Sequence, residues 1–530
     1  MKIVIAESLH PAAIHLFQEQ PGWEVVTSTP QAFEQYLPEA DALVASPAGK
    51  LSAALIAKAP NLKAVAVLGG AVDFIDVDAA TEAGVLVMNS PGESAVSVAE
   101  HTVGLMLALA RSIPQATDSV KHGKWEGKRF LGTEMRGKTL GVVGLGAIGR
   151  EVVRRVRGFK MKIVAHDPYV NSQTAADLGV GLVSRDELYQ QSDFITLHVA
   201  LTTETMGMLN DAAFAKMKHG VRIVNCARGE LIDPEALRRA IESGKVAGAA
   251  LDVLQSEPPQ AGEPLLALDQ VLATPHIGGA TEEAEESVSV RLAEHLIDYL
   301  THGIAVNAVN VPVMTAEEYR AVAPYADLTE RLGTFAAHIV TGNPKLVRII
   351  YHGNMAPERT RLIRNAGLAG VLSRSVARKT NVVNAPQIAA DRGLHFAERF
   401  ERATGYADSI RLELETDAGI TKVEGAIVLD HPRLLEVDGI RCEAPLGGHL
   451  LYIKTDDVPG VIGWLGSTIG KHKINISAFS FGRQSVSLKP GAPLEAISIV
   501  GTDQVVSEPV IAELLQNQAL KVARWVEFQR

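Results

Sequence analysis

Cysteine is scarce in this chain of 530 residues, which contains Cys226 and Cys442 and no other. The two lie far apart and in no metal-ligand spacing, so the sequence predicts no metal site and no disulfide framework, and it indicates a reducing compartment. Basic charge is not in excess either, since the net charge is −10 and the isoelectric point is about 5.9. We therefore expect no nucleic-acid partner and no membrane partner, because binding to nucleic acid or to anionic lipid requires a basic surface.

Long hydrophobic runs are missing as well. The longest, residues 103–110, is too short to span a bilayer, and the run after Met1 is too short for a signal peptide and is predicted to be a buried strand. Hydrophobic residues make up 47% of the chain and charged residues 21%, at a mean hydropathy of +0.10. This composition is typical of a soluble protein, and we expect a cytoplasmic one.

Short apolar runs alternate with helical stretches in two successive parts of the chain. This alternation predicts an α/β fold in which helices cover both faces of parallel sheets. Long helices are predicted at residues 95–111 and 282–300. The predicted strands are residues 3–6, 24–26, 42–45, 64–68 and 85–88 in the first part, and residues 140–143, 163–165, 194–197, 222–225, 247–253 and 271–274 in the second.

These patterns predict two doubly wound parallel-sheet domains with a cleft between them. The substrate-binding domain comprises residues 1–94 and 285–311, and the dinucleotide-binding domain comprises residues 95–284. An α+β domain is predicted at residues 312–446. Residues 447–530 are predicted to be a ferredoxin-like module, with the order strand, helix, strand, strand, helix, strand. Its strands are predicted near residues 450–454, 475–481, 496–501 and 521–528, and its helices near residues 461–472 and 509–516.

A glycine-rich turn, Gly144-Leu145-Gly146-Ala147-Ile148-Gly149, follows one predicted strand and opens a helix. Gly144 permits the turn, Gly146 lets the backbone approach a pyrophosphate, and Gly149 lets the helix pack on the strand. Asp167 ends the next predicted strand and is placed to accept a hydrogen bond from an adenosine ribose. Its charge would repel a 2′-phosphate, so we expect NAD as the cofactor. The alternative is a tight turn without a ligand.

Three polar residues follow predicted strands or lie in loops further along the chain. Arg228 can hold a carboxylate bidentately and polarise the adjacent C2 oxygen. His276 can accept a hydroxyl proton, and Glu257 can orient its imidazole. Asp252 is placed to bind the nicotinamide carboxamide or ribose. Taken singly, each has a structural alternative: a surface ion pair for Arg228, a structural histidine for His276 and a solvated acid for Glu257. Together they predict hydride transfer on a 2-hydroxy acid.

At these residues the chain resembles the D-isomer-specific 2-hydroxyacid dehydrogenases over nearly its whole length. The resemblance implies that Arg228, Glu257 and His276 are catalytic. It also implies cofactor contacts at a larger set of positions, namely Gly144, Gly146, Ala147, Ile148, Gly149, Asp167, Cys226, Ala227, Arg228 and Asp252. The resembling segments are Ser97-Val98-Ala99-Glu100-His101, the glycine-rich turn, Asn225-Cys226-Ala227-Arg228-Gly229, Ala250-Leu251-Asp252-Val253, Glu257-Pro258-Pro259 and Thr274-Pro275-His276.

Within that family, the chain is similar to the long members that oxidise 3-phospho-D-glycerate to 3-phosphohydroxypyruvate, the first step of L-serine biosynthesis. Their intervening domain and C-terminal ACT domain imply regulation, often by L-serine, and homo-oligomers that are commonly tetramers. The resemblance places an effector site at Asp457, in Asp457-Val458-Pro459-Gly460, and at Asn475. Thr455 stands where some members have a histidine.

Two departures from the family pattern concern the recognition of substrate anions. The loop usually written R-A-G-x-G-x-D-N reads Val67-Leu68-Gly69-Gly70-Ala71-Val72-Asp73-Phe74 here, and a second family arginine is replaced within Ser46-Pro47-Ala48-Gly49-Lys50. The cations that remain as candidates are Lys50 and, from a partner subunit, Lys128 or Arg129. Another D-2-hydroxy acid is therefore the alternative substrate. An NAD-sensing scaffold is a third hypothesis, which the complete set of Arg228, Glu257 and His276 disfavours.

Overall fold

The computed structural model describes residues 1–312, 314–353, 359–374, 380–402, 408–485 and 493–528. The chain forms two compact units. The first unit comprises Met1–Ser8, Ile14–Asn89 and Leu292–Arg530, and the second comprises Leu9–Ala13 and Ser90–Arg291. Among the described residues no single helix is long and apolar enough to cross a membrane, and one bent pair, Ala95–Arg111 with Ile113–Lys121, passes that test on length and composition.

The first sheet of the first unit is parallel, with the strand order β2-β1-β3-β4-β5. Each strand lies within one residue of its predicted bounds because each contains a short apolar run, which is largely buried in every strand except the outer strand β2. The strands are β1 (Lys2–Ile5), β2 (Glu24–Thr27), β3 (Ala42–Ala45), β4 (Ala64–Val67) and β5 (Leu86–Asn89), and the helices are α1 (Pro11–Gln18), α2 (Ala53–Ile56) and α3 (Val77–Glu82).

The second unit contains a parallel sheet of seven strands in the order β12-β11-β10-β9-β6-β7-β8. The strands are β6 (Thr139–Val143), β7 (Lys162–His166), β8 (Gly181–Leu182), β9 (Phe194–Leu197), β10 (Val221–Asn225), β11 (Val246–Leu251) and β12 (Val271–Ala273). The helices are α4 (Ala95–Arg111), α5 (Ile113–Lys121), α6 (Ala147–Val156), α7 (Ser172–Asp177), α8 (Arg185–Gln191), α9 (Asp211–Lys216) and α10 (Pro234–Glu242), followed by α11 (Glu282–His302). The predicted α/β fold with parallel sheets is confirmed. The prediction of six strands here was wrong by one, since β8 has only two residues and leaves no apolar run.

Strand order fixes where a ligand can bind in this sheet. β6 pairs with β7 on one side and with β9 on the other, so the order reverses direction at β6. In open parallel sheets, ligands bind beyond the carboxyl ends of the strands at such a reversal. The glycine-rich turn follows β6 directly.

The rest of the first unit contains two further sheets. A mixed sheet has the order β14-β13-β15-β16-β17-β18, and an antiparallel sheet has the order β20-β21-β19-β22. The predicted order of strands and helices after residue 447 is confirmed. The mixed sheet is built from β13 (Pro344–His352), β14 (His395–Glu401), β15 (Ser409–Thr416), β16 (Ile420–Val428), β17 (His431–Val437) and β18 (Ile440–Pro445), with α12 (Ala316–Ile339), α13 (Thr360–Leu372) and α14 (Ala385–Asp391). The antiparallel sheet is built from β19 (His449–Asp456), β20 (Ile476–Arg483), β21 (Glu495–Thr502) and β22 (Leu520–Glu527), with α15 (Val461–Lys471) and α16 (Glu508–Leu514).

One hydrophobic core joins these two sheets through α12. Leu332 and Phe335 of α12 belong to the same buried cluster as Leu412 of β15 and Ile499 of β21. The Phe335 ring meets the Tyr452 ring of β19 edge to face, with 5.9 Å between ring centroids. The predicted boundary at residues 446 and 447 thus falls inside a shared core, since Leu446 and Leu450 both belong to it.

The crossing of α12 and α13 depends on glycine, and this generates a stability prediction. A Cβ atom on Gly370 would overlap the carbonyl oxygen of Glu330, and backbone cannot swing aside as a flexible side chain can. We expect Gly370→Ala to destabilise the fold by about 1–3 kcal/mol, the usual cost of overpacking a core. Thermal unfolding of the full chain measures it. Gly466→Ala in α15 is the control, because that Cβ would meet nothing within 4 Å, and alanine favours helix. Equal midpoints for the two variants would contradict the packing argument.

Candidate active site

The glycine-rich turn has the shape that a pyrophosphate requires. Gly144 has φ +95°, and a Cβ atom there would overlap the carbonyl oxygen of His198. A Cβ atom on Gly149 would overlap the carbonyl oxygen of Gly144, whereas Gly146 is exposed and faces open space. Gly146 is also the N-cap of α6, and it has no side chain to satisfy the first N–H groups of the helix. Those N–H groups, at the positive end of the helix dipole, are available to an anion.

Asp167 lies beside this turn. Its Oδ2 accepts a hydrogen bond of 2.8 Å from the Leu145 N–H, and its Oδ1 accepts one of 2.9 Å from the Tyr169 N–H. The carboxylate is only partly buried, so each oxygen keeps capacity for a ribose hydroxyl. The structure therefore brings Asp167 to the turn, as the sequence pattern predicts.

A buried asparagine shapes the loop that presents Arg228. Asn225 ends β10, donates to the Arg228 carbonyl oxygen at 2.8 Å and accepts from the Ala227 N–H at 3.0 Å. The Arg228 guanidinium donates to the Ala227 carbonyl oxygen at 2.7 Å. Among the described residues, no carboxylate forms an ion pair with Arg228. The surface ion pair that was the alternative for this residue is absent there, and its other N–H donors can serve a substrate.

Glu257 and His276 form a hydrogen-bonded pair. Oε2 of Glu257 lies 2.8 Å from Nδ1 of His276, and its Oε1 accepts from the Leu254 N–H at 3.0 Å. Both side chains are accessible, with 40% of Glu257 and 52% of His276 exposed. A carboxylate at Nδ1 favours the tautomer with hydrogen on Nδ1, which leaves the lone pair on Nε2. The pair is therefore arranged to take a proton at Nε2 from a bound hydroxyl group.

Asp252 is buried beside the loop that carries His276. Only 2% of its surface is exposed, and its carboxylate accepts from the Thr274 hydroxyl at 2.6 Å, the Ile277 N–H at 3.0 Å and the Gly278 N–H at 2.8 Å. These donors belong to the loop that carries His276. Asp252 is thus turned toward this loop and holds it, and its predicted contact with the nicotinamide carboxamide or ribose stays a prediction.

Cys226 is also buried, and burial raises the pKa of its thiol to about 12. The side chain is therefore neutral and enclosed, so the predicted cofactor contact at this position would be made by the Cys226 backbone.

His198 is a buried histidine beside the glycine-rich turn that the sequence interpretation did not consider. It follows β9, at the edge where the strand order reverses, and its Nε2 lies 2.9 Å from the Thr196 hydroxyl oxygen. Its Nδ1 is buried without a hydrogen-bond partner among the described residues, and burial lowers its pKa to about 3. This neutral imidazole lies beside the turn, since the His198 carbonyl oxygen approaches Gly144. Its position directly after a predicted strand, like that of Arg228, was the available signal.

The two predicted effector residues do not meet within one chain. Asp457 lines a cavity of about 460 Å³ with Thr455, Phe481 and Arg483, and its Oδ2 lies 3.5 Å from Nη1 of Arg483. Asn475 precedes β20 and donates to Asp503 at 2.7 Å. The length of β20 separates Asn475 from Arg483 by roughly 25 Å, at ~3.3 Å per residue.

Comparisons with known proteins show which family this chain belongs to. Residues 103–278 match the family model of the D-isomer specific 2-hydroxyacid dehydrogenase, NAD binding domain. Residues 321–438 match the D-3-phosphoglycerate dehydrogenase intervening domain. The chain is 29% identical to the solved D-lactate dehydrogenase of Aquifex aeolicus in complex with NAD and lactic acid, with a TM-score of 0.52 over 57% of this chain and 95% of that one. The fold and site define an NAD-dependent 2-hydroxyacid dehydrogenase.

Full-length relatives narrow this class. The chain is 41% identical to D-3-phosphoglycerate dehydrogenase of Methanocaldococcus jannaschii over 523 residues, which is 98% of each chain. It is 36% identical to the enzyme of the same name from Bacillus subtilis over 516 residues, which is 97% of each chain. The chain belongs to the D-3-phosphoglycerate dehydrogenase family.

The position of Asp167 generates a prediction about the choice of cofactor. Asp167→Asn removes the charge that repels a 2′-phosphate. We expect the ratio of kcat/KM for NAD to that for NADP to fall by about tenfold or more, as measured by initial rates with each cofactor. The matched control is Asp177→Asn, an exposed acid on α7 that is bonded to Gln173. If the two variants keep the same ratio, the ribose contact does not involve Asp167.

Proposed function

We propose that this protein oxidises 3-phospho-D-glycerate to 3-phosphohydroxypyruvate with NAD, the entry reaction of L-serine biosynthesis. The observation that carries the proposal is the Glu257–His276 pair, 2.8 Å apart on loops that follow β11 and β12. Arg228 follows β10 of the same parallel sheet. The relatives that match along the whole chain carry the corresponding name.

The residues of this chain divide the chemistry among them. Arg228 binds the substrate carboxylate and holds the C2 hydroxyl group toward His276. His276 accepts the hydroxyl proton at Nε2, and Glu257 stabilises the imidazolium that forms. When bound, NAD supplies the hydride acceptor at C4 of its nicotinamide. The glycine-rich turn, the N-terminus of α6 and Asp167 are the residues that would hold this cofactor.

We propose the finer domain assignments on the same grounds. Residues 312–446 are the intervening domain, which the family match to residues 321–438 supports. Residues 447–530 are an ACT domain, which their antiparallel sheet and order of elements support. The interdomain cleft predicted from the sequence is part of this proposal.

One observation favours the alternative of a different D-2-hydroxy acid. No arginine precedes Arg111 in the chain. Among the lysines of this segment, Lys2, Lys58 and Lys63 form ion pairs with carboxylates. Lys50 forms none among the described residues. It is exposed in the loop after β3. If the substrate carries a phosphate, Lys50 is the cation of this segment that is available to bind it.

Two measurements test the reaction together. Wild-type protein should oxidise 3-phospho-D-glycerate with a higher kcat/KM than D-glycerate, since a phosphate binds cations more strongly than a hydroxyl group does. The reverse preference would favour the alternative substrate.

His276→Ala should lower kcat by ~10²–10⁴, the usual contribution of a positioned acid or base, while NAD affinity stays near that of the wild type.

The control for this variant is His219→Ala. His219 is exposed in the loop before β10, at the opposite edge of the sheet from His276, and its loss should leave kcat unchanged. A loss of less than tenfold in His276→Ala would assign proton transfer to another group.

We further propose that the protein is a homo-oligomer, with a tetramer favoured, and that L-serine or another small amino acid binds to the ACT domain. The cavity beside Asp457 offers a carboxylate, the guanidinium of Arg483 and the free N-terminus of α15. β20 is an edge strand of its sheet. Antiparallel pairing with β20 of a second copy would bring Asn475 of the partner subunit toward Arg483, so that two subunits complete one site.

Calorimetric titration of L-serine and glycine into the full chain tests the effector site. We expect Asp457→Ala and Asn475→Ala each to weaken binding, and serine to reduce the oxidation rate with a coupling of ~1–3 kcal/mol. Asn343→Ala is the control, since the side chain of this exposed residue also donates to an aspartate, Asp417, but in the mixed-sheet region. Unchanged affinity in both effector variants would place the ligand elsewhere. No heat with the wild type would leave the module structural.

A further inference from the structure

The helix α4 carries a row of polar side chains that meets the loop of His276. Ser97 and His101 are four residues apart and so share one face of the helix. The Ser97 hydroxyl lies 2.8 Å from that of Thr281. Nε2 of His101 lies 3.1 Å from the Thr274 hydroxyl oxygen and 3.2 Å from Oδ1 of Asp252. This face of α4 therefore contacts the loop at both ends.

The hydrogen-bond partners of His101 determine which of its ring nitrogens carries hydrogen. The Thr274 hydroxyl donates its hydrogen to Asp252, so toward His101 its oxygen can only accept. Asp252 also accepts there. Nε2 of His101 is therefore the protonated nitrogen, and it donates to both neighbours. A carboxylate as buried as that of Asp252 needs such donors, because an uncompensated buried charge is costly.

The loop that these groups hold is not in a relaxed conformation. His276 has φ +55°, in the left-handed region that residues with side chains rarely adopt. Its N–H donates to the Asp252 carbonyl oxygen at 2.9 Å, and the next two N–H groups donate to the Asp252 carboxylate. The conformation that points the imidazole at Glu257 is thus maintained by Asp252.

We propose that His101 is a positioning residue of the active site, which acts through Asp252 and Thr274 to keep the His276 loop in its strained conformation. The inference rests on the proposed dehydrogenase function. His101 touches no reacting atom. Its loss lets the loop relax, so that His276 no longer stays paired with Glu257, and the effect falls on kcat rather than on binding of NAD.

Two amide substitutions separate this role from simple packing. His101→Gln places an N–H donor near the position of Nε2, whereas the shorter side chain of His101→Asn does not reach it. We expect His101→Gln to keep kcat within about threefold of the wild type and His101→Asn to lose at least about tenfold, with KM for NAD within about twofold in both. His219→Asn, at the opposite edge of the sheet, is the control for a histidine replacement.

Hydrogen exchange of the peptide that contains Ile277 and Gly278 provides a readout besides activity. Exchange should be faster in His101→Asn than in the wild type and near the wild-type rate in His101→Gln. Equal kcat and equal exchange in the two variants would overturn the proposal, as would a loss of NAD binding that accounts for the whole effect. If the wild type oxidises no 2-hydroxy acid, the proposed function fails, and the exchange comparison still decides whether His101 holds the loop.

Discussion

Parallel pairing of the seven strands of the second unit is the constraint on which the site depends. Because β6, β7, β10, β11 and β12 all run in one direction, the segments that follow them emerge at the same edge of the sheet. Gly144 and His276 are 132 residues apart in the chain. The hydrogen-bond ladder of the sheet brings them to one edge without any direct contact between them.

Two carboxylates on this edge show how burial assigns different tasks to the same chemical group. Asp252 is 2% exposed, and its oxygens are occupied by a hydroxyl, two backbone N–H groups and His101. It is therefore a fixed structural anion. Glu257 is 40% exposed, and one of its oxygens is given to His276. Glu257 is therefore available to stabilise a charged His276 imidazole. Asp252 instead holds the backbone of the loop that carries His276.

Sequence patterns predicted what depends on local periodicity. The helix over residues 95–111 was predicted with the bounds it has, because its apolar residues and the charged Arg111 mark both its buried face and its end. The positions of most strands along the chain were predicted from short β-branched runs. β8 was missed because two residues carry no period, and its pairing with β7 is decided by tertiary context.

Side-chain direction was harder to predict than position. The pattern placed Asp252 at the correct edge of the sheet, but its inward direction depends on N–H groups of a loop about 25 residues later. His198 was missed for the same reason, since only packing shows that its Nδ1 is enclosed. Asp457 and Asn475 are close in sequence, yet they lie at opposite ends of the sheet because the helix α15 between them carries the chain from the end of β19 back to the start of β20. Such relations arise from long-range contacts that no local window contains.

The core shared by α12 and the antiparallel sheet has a consequence for how this chain can be cut or recombined. Phe335 packs on Tyr452, and Leu332 shares a cluster with Ile499 and Val526. Removal of everything after residue 446 would expose this side of α12 to water and leave an apolar surface prone to aggregation. The C-terminal module therefore cannot be exchanged on its own, because part of its core is supplied by α12. A graft of the module onto a shorter relative would have to include α12, because this helix contributes Leu332 and Phe335 to the shared core.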